Sequence, residues 1–214
     1  MTLTNERPQP TGRDEIPLIE ASPGRVDEAG PAKPSRPRYL PGDPEIREQL
    51  ARMIRVNHAG EYGAKRIYEG QLAVLRNSPA AKTIRHMQEQ EQEHLDTFSR
   101  LIVERRVRPT ALHPLWHVAG FALGAATALM GQRAAMACTV AVEEVIDEHY
   151  AQQAEQLGDT EPELKGYIEK FRAEELEHRD IGLAHEAEQA PAYQVLTGLI
   201  KAGSRAAIWA AQRF

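Results

Sequence analysis

Apolar positions between residues 44 and 107 return every three or four residues, the period of a helix with one buried face. Ile46, Leu50, Met53, Ile54 and Asn57, then Glu61, Ala64, Tyr68, Leu72 and Leu75, form one inner stripe. They predict a helix from Asp43-Pro44, a cap residue followed by proline at the first helical position, to about Arg76. Asn77-Ser78-Pro79 breaks it and caps a second helix running to about Arg106, with Ile84, Met87, Glu91, His94, Leu95, Phe98, Leu101 and Ile102 inward. So short a connection predicts an antiparallel hairpin. A second hairpin follows further on. Its first helix runs from Gln132 to near Gly158 and carries Val140, Glu143, Glu144, Asp147 and Tyr150. Its second runs from a capping box at Thr160-Glu161-Pro162-Glu163 to Pro191, with Leu164, Tyr167, Ile168, Phe171, Glu175, His178, Ile181 and Gly182 inward.

Two further segments fall outside the hairpins. Leu115 to Met130 is apolar except for His117 and Thr127, and is shorter than the roughly twenty residues that span a bilayer. Gly120 and Gly124 fit the small-xxx-small spacing that lets helices approach closely. This run predicts a crossover helix, either interfacial or packed in the core. Residues 192 to 214 predict a last helix with Leu196, Leu199, Ile200, Ile208 and Trp209 on one side and Lys201, Arg205 and Gln212 on another. A basic amphipathic helix of this kind suits an anionic membrane surface, or docks on the bundle.

Charged residues inside the apolar stripes carry the candidate chemistry. A buried carboxylate without a partner is costly, so Glu61 on the inner stripe must be paired or metal-bound. Glu91 and His94 are three apart, as are Glu175 and His178, which places each pair on one helical face. Glu61 precedes Glu91 by thirty residues, and Glu143 precedes Glu175 by thirty-two. The chain therefore spells Glu, then Glu-x-x-His, twice, on four helices. That is the ligand grammar of the ferritin-like four-helix bundles that hold two iron or two manganese ions. By symmetry Glu61 and His94 hold one metal, Glu143 and His178 the other, and Glu91 and Glu175 bridge. Glu144 is the alternative to Glu143, whose offset matches that of Glu61. Carboxylates with a minority of imidazole suit iron or manganese better than zinc or copper, and do not choose between the first two. Glu93 and Glu177 point elsewhere. Tyr150, two turns past Glu143, is a candidate relay or a core residue, and His149 a surface or substrate-side candidate. His58 has no counterpart near Glu143. His86, His113, His117 and His185 have no evident partner.

Composition adds boundaries. Residues 1 to 42 hold eight of the fourteen prolines and few large apolar residues, which predicts a disordered tail before a single domain over 43 to 214. A formal charge of −5 argues against nucleic acid as a partner. One cysteine, Cys138, permits neither a disulfide framework nor a thiolate zinc site. The N-terminus has no signal-peptide apolar core, and its acids make a poor transit peptide, so a bacterial cytoplasmic protein is expected.

Four segments extend the reading: Asn57 to Ala64, Arg106 to Thr110, Cys138 to Glu144, and Glu174 to His178. Together they resemble the signature segments of the demethoxyubiquinone hydroxylases, over about residues 45 to 214, with no departure at the six ligand positions. The resemblance implies a di-iron monooxygenase that hydroxylates the ring of a polyprenylated 5-demethoxyubiquinol with dioxygen, late in ubiquinone biosynthesis. It further implies two iron ions, an external electron donor, peripheral attachment to the cytoplasmic face of the cell membrane, and room for a lipid-binding helper protein. The absence of a G-x-G-x-x-G fingerprint speaks against an intrinsic flavin or nicotinamide fold. The competing expectation is a ferritin-like protein that oxidises or stores iron, which has no use for the apolar run.

Overall fold

The computed structural model describes residues 45–214. The expected tail, and the helix start expected at Asp43-Pro44, lie outside the described residues. Six α-helices and no strand occur among those described: α1 (Ile46–Leu75), α2 (Ala81–Glu104), α3 (His113–Leu129), α4 (Gln132–Leu157), α5 (Pro162–Ala184) and α6 (Tyr193–Ala211). The fold is an all-α, ferritin-like bundle. α1 packs on α2 and α4 on α5, the two expected hairpins, while α3 lies along α1 and α6 along α4.

Apolar side chains fill the bundle at both ends of the six-residue set. Met53, Ile54, Phe98, Leu101, Tyr150, Ile168 and Phe171 pack at one end. Tyr68, Ile84, Met87, Met136, Ala137 and Val140 pack at the other. Burying a side chain the size of Phe98 or Ile84 contributes about 1.5–3 kcal/mol, so these layers fix how the four helices face one another.

α3 settles against the bundle through its glycines. A Cβ on Gly124 would overlap the backbone of Ile67, and one on Gly70 would overlap the backbone of Phe121. The small-residue spacing thus serves an α1–α3 crossing in which backbones touch. Leu115, Val118 and Leu129 of α3 nevertheless remain exposed.

Several local expectations need correction. Thr160 does not cap α5, because its hydroxyl turns back to the Leu157 carbonyl, 2.6 Å away, and closes α4 instead. Ser78 offers no side-chain cap to α2, which begins after Ala80. α5 stops at Ala184, seven residues before Pro191, because Glu186 takes a positive φ of 60° ahead of a short 3-10 turn. Ile46 is 40 % exposed, so the inner stripe begins one turn later. On α6, Ile200 is buried, but Leu199 and Trp209 face outward.

Candidate metal centre

The helix periods bring Glu61, Glu91, His94, Glu143, Glu175 and His178 into one buried cluster at the middle of the bundle. Ligand atoms of Glu61, Glu91, His94 and Glu175 all lie within 4.8 Å of one another, and so do those of Glu91, Glu143, Glu175 and His178. Glu91 and Glu175 belong to both groups, the positions of a bridge. His94 Nδ1 is 3.1 Å from Glu175 and 3.4 Å from Glu61, and His178 Nδ1 is 3.2 Å from Glu175 and 3.3 Å from Glu91. Glu144 points away and pairs with Lys201 of α6, while Glu93 and Glu177 are exposed.

The donor set fits a pair of divalent cations. Eight atoms of these six residues are buried without a hydrogen-bond partner: Glu61 Oε2, both oxygens of Glu91, His94 Nδ1, Glu143 Oε2, both oxygens of Glu175 and His178 Nδ1. Orphaned polar atoms concentrated in one place point to an ion that would satisfy them. Four carboxylates balance two divalent charges, which makes the burial tolerable.

Without cations, protons must do that work. Burial first, then the charges of Glu175 and Glu61, hold Glu91 well above the usual carboxylate range. Burial, then Glu175 and Glu91, do the same to Glu143. Burial opposes a charge on His94, but Glu175 and Glu61 outweigh it and push the imidazole up to about 12. Burial also works against a charged Glu175, yet His178 and His94 pull it down to about 2.

A shell of hydrogen bonds orients the set. Tyr68 on α1 donates to Glu143 on α4 at 2.8 Å, and Tyr150 on α4 donates to Glu61 on α1. Burial, then the adjacent carboxylates, raise both phenols well above their ordinary value, so they stay protonated donors. Behind the imidazoles, His94 Nε2 meets Glu174 at 2.7 Å and His178 Nε2 meets Gln90 at 3.0 Å. Tyr68, Glu174 and Gln90 were not singled out as functional by the sequence. Tyr68 had a readable signal: it lies seven residues past Glu61, as Tyr150 lies seven past Glu143.

His149 belongs to neither group of the cluster and is half-buried. Gln153 donates to its Nε2 at 2.7 Å and to Asn57 Oδ1 at 2.9 Å, while Asn57 donates back to Gln153 at 2.8 Å. The bond from Gln153 requires a lone pair on Nε2, which fixes the neutral tautomer. Burial agrees, pulling this histidine down to about 4. His113 and His117, for which no partner was expected, flank Tyr62, whose hydroxyl lies 2.6 Å from His117 Nδ1. His58 lies tilted against His113, ring centroids 5.7 Å apart.

An apolar groove of 520 Å³ runs on the other side of α1 and α4, covered by α3 and α6. Gly60 and Val142, sequence neighbours of Glu61 and Glu143, line its floor, and Trp116, Leu123, Leu199 and Ile208 line its sides. An added Cβ at Gly60 or Gly63 would meet nothing, so small residues keep the groove open.

Comparison with known proteins adds the family context. The profile of the family described as "Ubiquinone biosynthesis protein COQ7" matches residues 48–211. A Rhodospirillum rubrum protein named 3-demethoxyubiquinol 3-hydroxylase is 54 % identical over 204 residues, covering 95 % of this chain and 96 % of its relative. A human protein named NADPH-dependent 3-demethoxyubiquinone 3-hydroxylase, mitochondrial, is 56 % identical over 171 residues, covering 78 % and 79 %. The Saccharomyces cerevisiae protein named 5-demethoxyubiquinone hydroxylase, mitochondrial, is 44 % identical over 181 residues, covering 77 % and 78 %.

Proposed function

The chain belongs to the family of ubiquinone biosynthesis protein COQ7, and from that premise we propose that it hydroxylates the ring of a demethoxyubiquinol with dioxygen, using two iron ions. The observation that carries the reading is the concentration of eight orphaned donor atoms on six buried residues of two repeated hairpins. The ring position takes the number 3 in the bacterial and human names and 5 in the yeast one.

Glu61 and His94 would hold one ion, Glu143 and His178 the other, with Glu91 and Glu175 between them. Two such ions supply redox activation of dioxygen for attack on an aromatic carbon. The protein supplies the rest. Tyr68 and Tyr150 hold Glu143 and Glu61 in place by hydrogen bonds. Tyr150 also places a proton against Glu61 at the centre, and His149, neutral and locked by Gln153, stands next to it in the chain. The buried walls keep water from the cluster. The apolar groove takes the quinol with its polyprenyl tail, because its lining has few polar groups to desolvate. Electrons come from an external donor; the human relative is named as NADPH-dependent, which favours a nicotinamide for this chain too.

No helix among the described residues is long and apolar enough to cross a membrane. The exposed apolar residues of α3 and α6 instead suit peripheral attachment to the cytoplasmic face of the cell membrane, where a lipid-dissolved quinol is reached. The same surface suits a lipid-binding helper protein. Iron storage would leave the groove without a use.

Metal analysis of the purified chain tests the site, with hydroxylation of a demethoxyubiquinol as the second readout. Glu175→Ala should lose both metal and turnover, and His178→Ala should lose turnover and the ion of its own half, while helix content stays near that of the parent. Full activity in either variant would refute the assignment.

A further inference from the structure

The two halves of the cluster repeat one another, but the residues behind their imidazoles do not. The chain advances 84 residues from Glu91 to Glu175 and from His94 to His178, and the same step leads from Gln90 to Glu174. Each of these two side chains crosses to the opposite hairpin. His94 Nε2–H donates to a carboxylate oxygen of Glu174 at 2.7 Å, whereas His178 Nε2–H donates to the amide oxygen of Gln90 at 3.0 Å. The other Glu174 oxygen lies 3.6 Å from Lys170 Nζ. Lys170 in turn sits over the Phe171 ring, and that ring stacks on His94 with centroids 4.0 Å apart. His94 is therefore gripped by an anion at its outer nitrogen and by an aromatic face. Met87 occupies the position equivalent to Phe171 in the other hairpin.

An imidazole that donates to a carboxylate is a stronger ligand through its other nitrogen than one that donates to a neutral amide. Resting on the metal reading above, we infer that Glu174 and Gln90 are positioning residues that make the two metal sites unequal, so that the Glu61–His94 half holds a divalent cation more tightly than the Glu143–His178 half. The repeat supplies the two sites, and this one acid-for-amide difference sets the order in which they fill.

The test uses the full chain, stripped of metal by a chelator and titrated without oxygen with cobalt(II), followed by heat and by visible absorption. The parent should bind two ions in two steps about 10–100-fold apart in affinity, the range an outer hydrogen-bond partner contributes. Glu174→Gln should merge the steps by weakening the first, and Gln90→Glu should merge them by strengthening the second. In a His178→Ala background, where the His94 half is intact, Glu174→Gln should weaken the remaining ion by the same factor. In a His94→Ala background it should change little, whereas a merely structural role would move both alike. If Glu174→Gln fails to fold by circular dichroism, Gln90→Glu decides alone. Equal affinities in the parent, or a gap that the exchanges leave untouched, overturn the inference. A parent that takes up no cobalt overturns the metal reading itself.

Discussion

Tyr68 donates a 2.8 Å hydrogen bond to Glu143 from across the bundle. Its repeat partner Tyr150 returns the gesture to Glu61, so each outer carboxylate is steadied by a phenol from the other hairpin. Glu143 Oε2 already lacks a partner, and Tyr68→Phe would leave both oxygens of a buried carboxylate without one. That change should destabilise the metal-free chain by about 1–3 kcal/mol, read as a lower urea midpoint. Tyr150→Phe should cost a similar amount for the same reason at Glu61. Parent-like midpoints in both variants would show that the phenols fill space and no more.

His149 makes a pH prediction that does not involve the cluster. Burial holds its imidazole down to about 4, against 6.5 in an unfolded chain. Above pH 6.5 both states are neutral here and stability does not change. Between 6.5 and 4 the unfolded chain takes a proton that the folded one refuses, so stability falls with falling pH. The loss approaches about 2–3 kcal/mol once partial exposure is allowed for. His149→Gln should remove this part of the slope. In the parent, the His149 ring resonances should not titrate until pH is near 4; a midpoint at 6.5 would contradict the hydrogen bond from Gln153.

The six clustered residues were legible because every signal they need is local. A three-residue spacing places Glu91 with His94 and Glu175 with His178 on one face, and the repeat of that spacing three helices later, on α5, says which faces meet. The same reasoning could have reached Tyr68 from Tyr150. The partners of the imidazoles could not be read this way. Gln90 and Glu174 each neighbour one glutamate shared by both groups of the cluster but meet the histidine of the other hairpin, and only the helix crossing decides that. Thr160 shows the converse failure. Its capping box is correct as a pattern, yet a nearer carbonyl at Leu157 wins the hydroxyl.

The last helix docks on the bundle along α4, one of the two roles the sequence left open for its basic side. Lys201 and Arg205 are paired with acids of α4, Lys201 with Glu144 and the half-exposed Arg205 with Glu148 at 2.9 Å. The basic side of α6 thus meets the acids of α4. Large apolar side chains stay outward as well: Val195, Leu199 and Trp209 on α6, with Phe214 just beyond it, and Leu115, Val118 and Leu129 on α3. The proposed membrane attachment, made through these side chains, would follow buried area rather than charge, so flotation with liposomes should occur on neutral as well as anionic lipid. It should also persist when salt shortens the Debye length from about 10 Å at 0.1 M to about 3 Å at 1 M. Leu199→Glu with Trp209→Glu should abolish flotation, whereas Lys201→Gln with Arg205→Gln should weaken the docking of α6, seen as a lower melting temperature. Flotation that requires anionic lipid and disappears in salt would instead assign the contact to basic residues, and return Lys201 and Arg205 to the membrane.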